Sequence, residues 1–240
     1  MIQLESCSYR PLRNDQFELS IKSLSIAKGA RVFIVGPSGS GKTTLLKALA
    51  GLLPGCTGRL SIDGERVNSA EFPLHRKGIM FLSQELGLWS HLTGKEQVSF
   101  VVTRGKSLNS QESLYWLELV GLEHKQDSRP NRLSGGEQKR LALARALAAE
   151  PRHLFLDEPF ANIDPVLADE LMNKIDKEQC KRKFSLIKVT HHCFGIKNDA
   201  VTLLVIYQGR VVQQGTLTEI AKNPVNDWTK KWVHLIEQKG

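Results

Sequence analysis

The order of patterns along this chain predicts an α/β protein: a mostly parallel sheet, an N-terminal antiparallel β layer and an inserted α-helical stretch. Three observations lead there. Residues 1–35 alternate apolar and polar side chains, the signature of half-buried strands. Short runs of large apolar residues then alternate with helical patterns, as in parallel α/β folds. From Gly94 to Leu122 the texture is helical, and a second helical run follows over Gly135 to Glu150.

Ile2-Gln3-Leu4-Glu5 and Phe17-Glu18-Leu19-Ser20-Ile21 are the clearest N-terminal strands, with Asn14-Asp15 as a turn between them. Arg31-Val32-Phe33-Ile34-Val35 is a β-branched run, and Thr43 to Leu53 reads as the first helix. Gly58 to Val67 carries Asp63-Gly64 between short alternating runs, a hairpin signal. Ile79-Met80-Phe81-Leu82 fits a buried parallel strand. Leu114, Leu117 and Val120 suit a helix that stops at Gly121. Ser128 to Leu133 is polar, contains Pro130 and reads as a loop. Gly135 to Glu150 is a strong helix stopped by Pro151. His153 to Leu156 is a strand that delivers Asp157-Glu158, Val166 to Lys177 a helix, and Ser185 to Val189 a strand ending at Thr190-His191. Val201–Tyr207 and Arg210–Gln214 form a hairpin about Gln208-Gly209. Helices over Thr216–Ala221 and Asp227–Gln238 close the chain.

A length of 240 residues suits one large domain, or one domain with a subdomain. Hydrophobic content of 41% with 24% charged residues is that of a soluble globular protein. No run approaches the roughly 18 apolar residues of a membrane span. The first residues lack the basic and apolar regions of a signal peptide. Cys7, Cys56, Cys180 and Cys193 show no metal-like spacing and read as reduced cytosolic thiols. The net charge of +8 would suit nucleic acid, an anionic membrane face or a triphosphate, and does not choose among them. Lys181-Arg182-Lys183 and Lys230-Lys231 are too short to be more than solvated faces.

Gly36-Pro37-Ser38-Gly39-Ser40-Gly41-Lys42-Thr43-Thr44 fits G-x-x-x-x-G-K-[ST] between a strand and a helix. Glycines let the backbone curl so that its N–H groups face phosphate oxygens, and the helix N-terminus adds positive dipole there. Lys42 supplies a point charge for the outer phosphates, and the Thr43 hydroxyl suits Mg²⁺. In such parallel sheets ligands sit beyond the strand C-termini. Four strand ends deliver Gly36, Gln84, Asp157-Glu158 and His191 to that edge. Asp157 suits the Mg²⁺ shell, and Glu158 can orient or deprotonate an attacking water. The Gln84 amide can bond both Mg²⁺ and that water. His191 can contact the terminal phosphate or hold Glu158. Leu133-Ser134-Gly135-Gly136-Glu137-Gln138 is a second anion site at a helix N-terminus, and equally a capping box of Ser134 and Glu137. One chain cannot easily place both sites on one triphosphate; a head-to-tail pair of chains can.

Taken together, GPSGSGKTT at 36–44, Gln84, LSGGEQ at 133–138, FLDEP at 155–159, ANID at 161–164 and THH at 190–192 make the chain resemble the ATP-binding subunit of an ABC transporter, of the bacterial import type. The resemblance covers nearly the whole chain. It implies a P-loop NTPase core, with residues 1–87 and 151–240 forming the β flank and α/β core and residues 88–150 a helical subdomain. It implies ATP and Mg²⁺ as cofactors, and two subunits, identical or paired, closing on two ATP molecules. Each ATP would lie between Gly36–Thr44 of one chain and Ser134, Gly135 and Gly136 of the other. Asp164 would cross that interface and Tyr9 would stack on adenine. Glu158, His191, Gln84 and Lys42 would be catalytic, and Thr43, Gln84 and Asp157 would hold the metal.

The resemblance further implies integral membrane permease subunits as partners, a solute-binding protein beside them, and no nucleic acid. It places the chain in the cytoplasm, peripheral on the inner membrane face. Leu86 to Thr93 is the region that usually meets a permease, although Trp89 also suits a core. An iron–sulfur assembly ATPase is the alternative that length alone leaves open. Two departures stand out: Ala161-Asn162-Ile163-Asp164 replaces the usual Ser-x-Leu-Asp, and Cys193 to Asn198 is a poor helix with a central glycine.

Overall fold

The computed structural model describes residues 1–11, 17–67, 78–102, 110–190, 196 and 200–238. The expected Asn14-Asp15 turn, His191, His192 and most of the segment after them lie outside the described residues.

The N-terminal layer is an antiparallel sheet of β1 (Ile2–Tyr9), β2 (Leu19–Ile26), β4 (Arg59–Ile62) and β5 (Glu65–Val67), in the order β2-β1-β4-β5. The alternating residues explain it: Ile2, Leu4, Leu19, Ile21, Leu24 and Ile62 all turn into one core. Asp63 (φ 54) and Gly64 (φ 85) make the expected tight turn between β4 and β5.

The second sheet has six strands: β3 (Arg31–Val35), β6 (Ile79–Leu82), β7 (His153–Asp157), β8 (Ser185–Val189), β9 (Val201–Tyr207) and β10 (Arg210–Gly215). Their order is β10-β9-β3-β8-β7-β6, parallel throughout except for β10. β3, β7 and β8 are buried at every residue, because both faces of the sheet are covered. Val32, Ile34, Phe155 and Ile187 face the N-terminal layer and α1 (Lys42–Leu49). Phe33, Val35, Leu154, Leu156 and Leu186 face the other core. That core contains residues of α2 (Gly94–Val102), α3 (Ser110–Leu119), α4 (Gly135–Ala148) and α5 (Pro165–Arg182). The chain ends in α6 (Leu217–Lys222) and α7 (Asp227–Gln238).

The structure differs from expectation at several elements. α1 stops at Leu49, not Leu53, because Gly51 turns left-handed (φ 73) and Pro54 follows. Pro130–Arg132 is a single 3-10 turn inside the expected loop. α5 runs from Pro165 to Arg182, longer than Val166–Lys177. It is started by Asp164 as N-cap with proline after it, and ended by a left-handed Lys183 (φ 56).

Candidate functional site

Gly36 to Thr44 bridges β3 and α1 as its pattern requires. A Cβ on Gly36 would lie 2.2 Å from the Ile206 carbonyl oxygen, so only glycine fits. Gly41, the N-cap of α1, is left-handed (φ 101) and offers no side-chain cap. The first N–H groups of the helix are therefore left for a ligand. The buried Ser40 Oγ also has no hydrogen-bond partner among the described residues. Lys42, only 6% exposed, folds onto the loop and donates from Nζ to the carbonyls of Pro37 (2.9 Å) and Gly36 (3.1 Å). Burial pulls its pKa down, while Glu158 and Asp157 oppose that shift. A desolvated ammonium resting on two loop carbonyls is poised for a group more negative than they are.

The sheet edge brings the carboxylates to this loop. Thr43 Oγ1 donates to Asp157 Oδ1 at 3.0 Å. Asp157 is 4% exposed, and burial pushes its carboxyl up, against the Thr43 hydrogen bond. Hydroxyl and carboxylate side by side form the oxygen donor set that Mg²⁺ prefers. Glu158 sits at φ 51, and its N–H donates to the Val189 carbonyl at 3.2 Å, tying the end of β7 to that of β8. It lines two cavities. One, of about 320 Å³, is walled by Ser38, Gly39, Gly41, Lys42, Thr43 and Thr44; the other, of about 330 Å³, holds Gln84, Asp157 and Lys139. Glu158 thus joins the phosphate loop to Gln84.

Ser134 caps α4 with both expected bonds: its N–H donates to Glu137 Oε2 (2.8 Å), and Glu137 N–H donates to Ser134 Oγ (3.3 Å). The capping box is formed. Gly135 and Gly136 have open space where a side chain would be, and neither cavity includes them. Asp164 Oδ1 accepts from Val166 and Leu167 N–H at 2.9 and 3.1 Å, so it is first a helix cap.

Tyr9 packs at the edge of the N-terminal core and is not among the residues lining the phosphate-loop cavity. The aromatic residue there is Phe17. A Cβ on Gly41 would lie 2.7 Å from its ring. Phe17 opens a strand pattern, and nothing local signals that its ring crosses onto a glycine of a different motif. Nothing in the sequence signals the contacts of Arg145 either. From the last turn of α4 it donates to the carbonyls of Gly87 (2.7 Å) and Leu86 (2.9 Å), and its guanidinium lies 4.8 Å over the Trp89 ring. Lys139, on the same helix, donates to the Ala161 carbonyl.

A family model described as ABC transporter matches residues 19–161. The chain belongs to the ABC transporter family. Among the relatives of this ABC cassette is the glycine betaine/carnitine/choline transport ATP-binding protein OpuCA of Bacillus subtilis (strain 168). The two are 33% identical over 238 residues, 97% of this chain and 62% of that protein. The probable sulfate/thiosulfate import ATP-binding protein CysA of Chlorella vulgaris is 36% identical over 89% of this chain and 91% of its own length. The thiamine import ATP-binding protein ThiQ of Shigella flexneri is 36% identical over 82% of this chain and 86% of its own. The ABC cassette thus spans under two thirds of OpuCA but most of CysA and ThiQ. Its fold matches a dimeric post-hydrolysis ATP-binding cassette bound to ADP and Pi, with a TM-score of 0.77 and 26% identity, over 90% of this chain and 98% of that one.

Proposed function

We infer that this ABC cassette is an ATP-hydrolysing subunit that closes head to tail on ATP and drives solute import through a separate membrane permease. The observation that carries the reading is the split between its two glycine-rich helix starts. Gly36–Thr44 is walled by the chain's own Asp157 and Glu158, whereas Ser134-Gly135-Gly136 faces outward. The relatives named as import ATP-binding proteins favour this reading over iron–sulfur assembly.

In the proposed cycle the loop N–H groups and Lys42 hold the outer phosphates, and Glu158 orients the attacking water and accepts its proton. Bound Mg²⁺ would neutralise phosphate charge, and Thr43, Asp157 and Gln84 are the residues that would hold it. His191 would sense the terminal phosphate. Ser134, Gly135 and Gly136 would serve the partner's ATP, with Asp164 beside the dimer seam.

Among the described residues, no helix is long and apolar enough to cross a membrane. The transport path would then belong to other chains, and this subunit would sit peripherally on the cytoplasmic face. The segment after Gln84 is the proposed permease contact. Trp89 is half-buried and edge-on to Phe100 (5.2 Å), which is 53% exposed. Arg145 ties this segment to α4, the helix that starts at the signature turn. A solute-binding protein would present the cargo to the permease.

Glu158→Gln tests the reading. The amide keeps the shape and loses the charge, so turnover should fall by about 10² or more while ATP still binds. Size-exclusion chromatography with Mg-ATP should then show a dimer, and a monomer at saturating ATP would contradict the closure.

A further inference from the structure

Glu158 stands on a turn that its own residues do not favour. Its φ of 51 and the φ of 61 at Asn162 are left-handed, and neither residue is glycine. Such conformations cost free energy and persist only where the surroundings over-determine them. Several restraints do so here. The Glu158 N–H is tied to the Val189 carbonyl, the Ala161 N–H to the Glu158 carbonyl and the Ile163 N–H to the Phe160 carbonyl, each at 3.2 Å. The Phe160 side chain is buried in the core below. One more restraint crosses from α4. Half-buried Lys139 donates from Nζ to the Ala161 carbonyl, between the two left-handed residues. This contact is made by a side chain, so substitution removes it while the backbone bonds stay.

We propose that Lys139 is a positioning residue for hydrolysis: it holds the turn that aims Glu158 at the attacking water. This role presupposes that Glu158 serves the ATPase proposed above. The base of Lys139 is itself fixed. Leu141, Ala142, Leu143 and Ala144, which follow it on α4, are all buried. The neighbouring Gln138 donates from Nε2 to the carbonyls of Pro130 (2.9 Å) and Leu133 (3.1 Å), which holds the chain where it enters α4. A hydrogen bond from an ammonium is stronger than one between neutral groups. Lys139 also lines the cavity that contains Gln84, Asp157 and Glu158, so it stands beside the carboxylate it supports. Without it the turn loosens, and Glu158 spends part of its time out of line with the water. A misplacement of about 1 Å at a reacting group costs about 10²-fold in rate, and a turn that still visits the right geometry should lose about tenfold.

The test is a double-mutant cycle on the full chain, read as kcat and KM for ATP, with radiolabelled ATP for the slow variants. Lys139→Met keeps the apolar stem and loses the donor. Its kcat should fall by about tenfold with KM within about twofold. Lys139→Arg keeps a charged donor and should recover most of the rate. In a Glu158→Gln background, Lys139→Met should cost less than about twofold, because a residue that acts through Glu158 has nothing left to position. Lys139→Ala is carried through the same cycle, so the outcome does not depend on one variant folding. A loss of about tenfold in both backgrounds would give Lys139 a general structural role, and a wild-type kcat in Lys139→Met would take the contact out of the mechanism. Either result overturns the proposal. A wild-type rate in Glu158→Gln alone would instead overturn the ATPase role of Glu158 beneath it, which no Lys139 variant can mimic.

Discussion

α1 and α4 both begin at glycine-rich turns, yet the chain treats the two starts in opposite ways. α1 has no side-chain cap, and its open N–H groups lie within reach of Lys42, Thr43, Asp157 and Glu158, all supplied by the same chain. α4 carries a full capping box, which holds its shape without a ligand, and a Cβ added to Gly135 or Gly136 would meet no described neighbour within 4 Å. An uncapped start walled by its own chemistry is a site in its own right. A capped start on an open surface is half of one. The same helix-terminus physics is used twice, and only the surroundings decide whether a second chain is required.

The largest expected effect tests the complete half. Lys42→Ala removes the one ammonium that the loop carbonyls hold in place. ATP hydrolysis should fall by at least about 10²–10³-fold, as when one preorganised electrostatic contact is lost. An unchanged rate in a clean preparation would remove the phosphate assignment.

Ser134→Arg tests the open half and should separate what Lys42→Ala merges. The added cation would occupy the anion site meant for the partner's nucleotide, so hydrolysis should drop by about 10². ATP affinity of the monomer should stay within about twofold, since Ser134 lies outside the phosphate-loop cavity. Mixed with Lys42→Ala chains, the mutant should regain part of its activity from one good composite site. If the Ser134→Arg monomer lost ATP binding as fully as Lys42→Ala, the comparison between the two helix starts would collapse.

The contrast also explains what the sequence reveals. The complete half was legible because its chemistry is local: loop, Lys42 and Thr43 are contiguous, and Asp157-Glu158 ends an apolar strand that can only be buried. The open half was legible as a motif but ambiguous as a site, since a cap and an anion cradle use the same Ser134 and Glu137. Contacts that join distant segments were not legible. Phe17 over Gly41 and Arg145 on the Leu86 and Gly87 carbonyls depend on which surfaces the tertiary fold lays together. No spacing rule encodes them. Asp164-Pro165 is by contrast a locally encoded helix start, an N-cap followed by proline at the first helical position.

A smaller effect concerns the link between the halves. Gln84 lies by the carboxylates, and Arg145 of α4 grips the segment just after it. Closing on ATP can therefore move α4 and the proposed permease contact together. Trp89→Glu or Leu88→Glu should cut cargo-stimulated ATPase in the assembled transporter by about tenfold, within the usual range of coupling energies. Basal ATPase of the isolated subunit should survive. Equal loss of both rates would make Trp89 a core residue, and normal coupling would move the contact elsewhere.

The smallest expected effect decides which aromatic residue covers the nucleotide. The resemblance points to Tyr9, but Phe17 is the ring that lines the cavity and rests on Gly41. A ring stacked on a base contributes about 1–1.5 kcal/mol beyond simple burial, so Phe17→Ala should weaken ATP binding by about tenfold. Tyr9→Ala should weaken it by less than about twofold, because Tyr9 packs against the N-terminal core instead. Fluorescent ATP titrations on both variants make the comparison, with inorganic triphosphate as competitor. The base-free competitor should lose nothing in Phe17→Ala, since it has no ring to stack. A tenfold loss in Tyr9→Ala with none in Phe17→Ala would return the stacking role to Tyr9. Equal loss of ATP and triphosphate in Phe17→Ala would mean that the ring shapes the Gly41 turn rather than meeting the base.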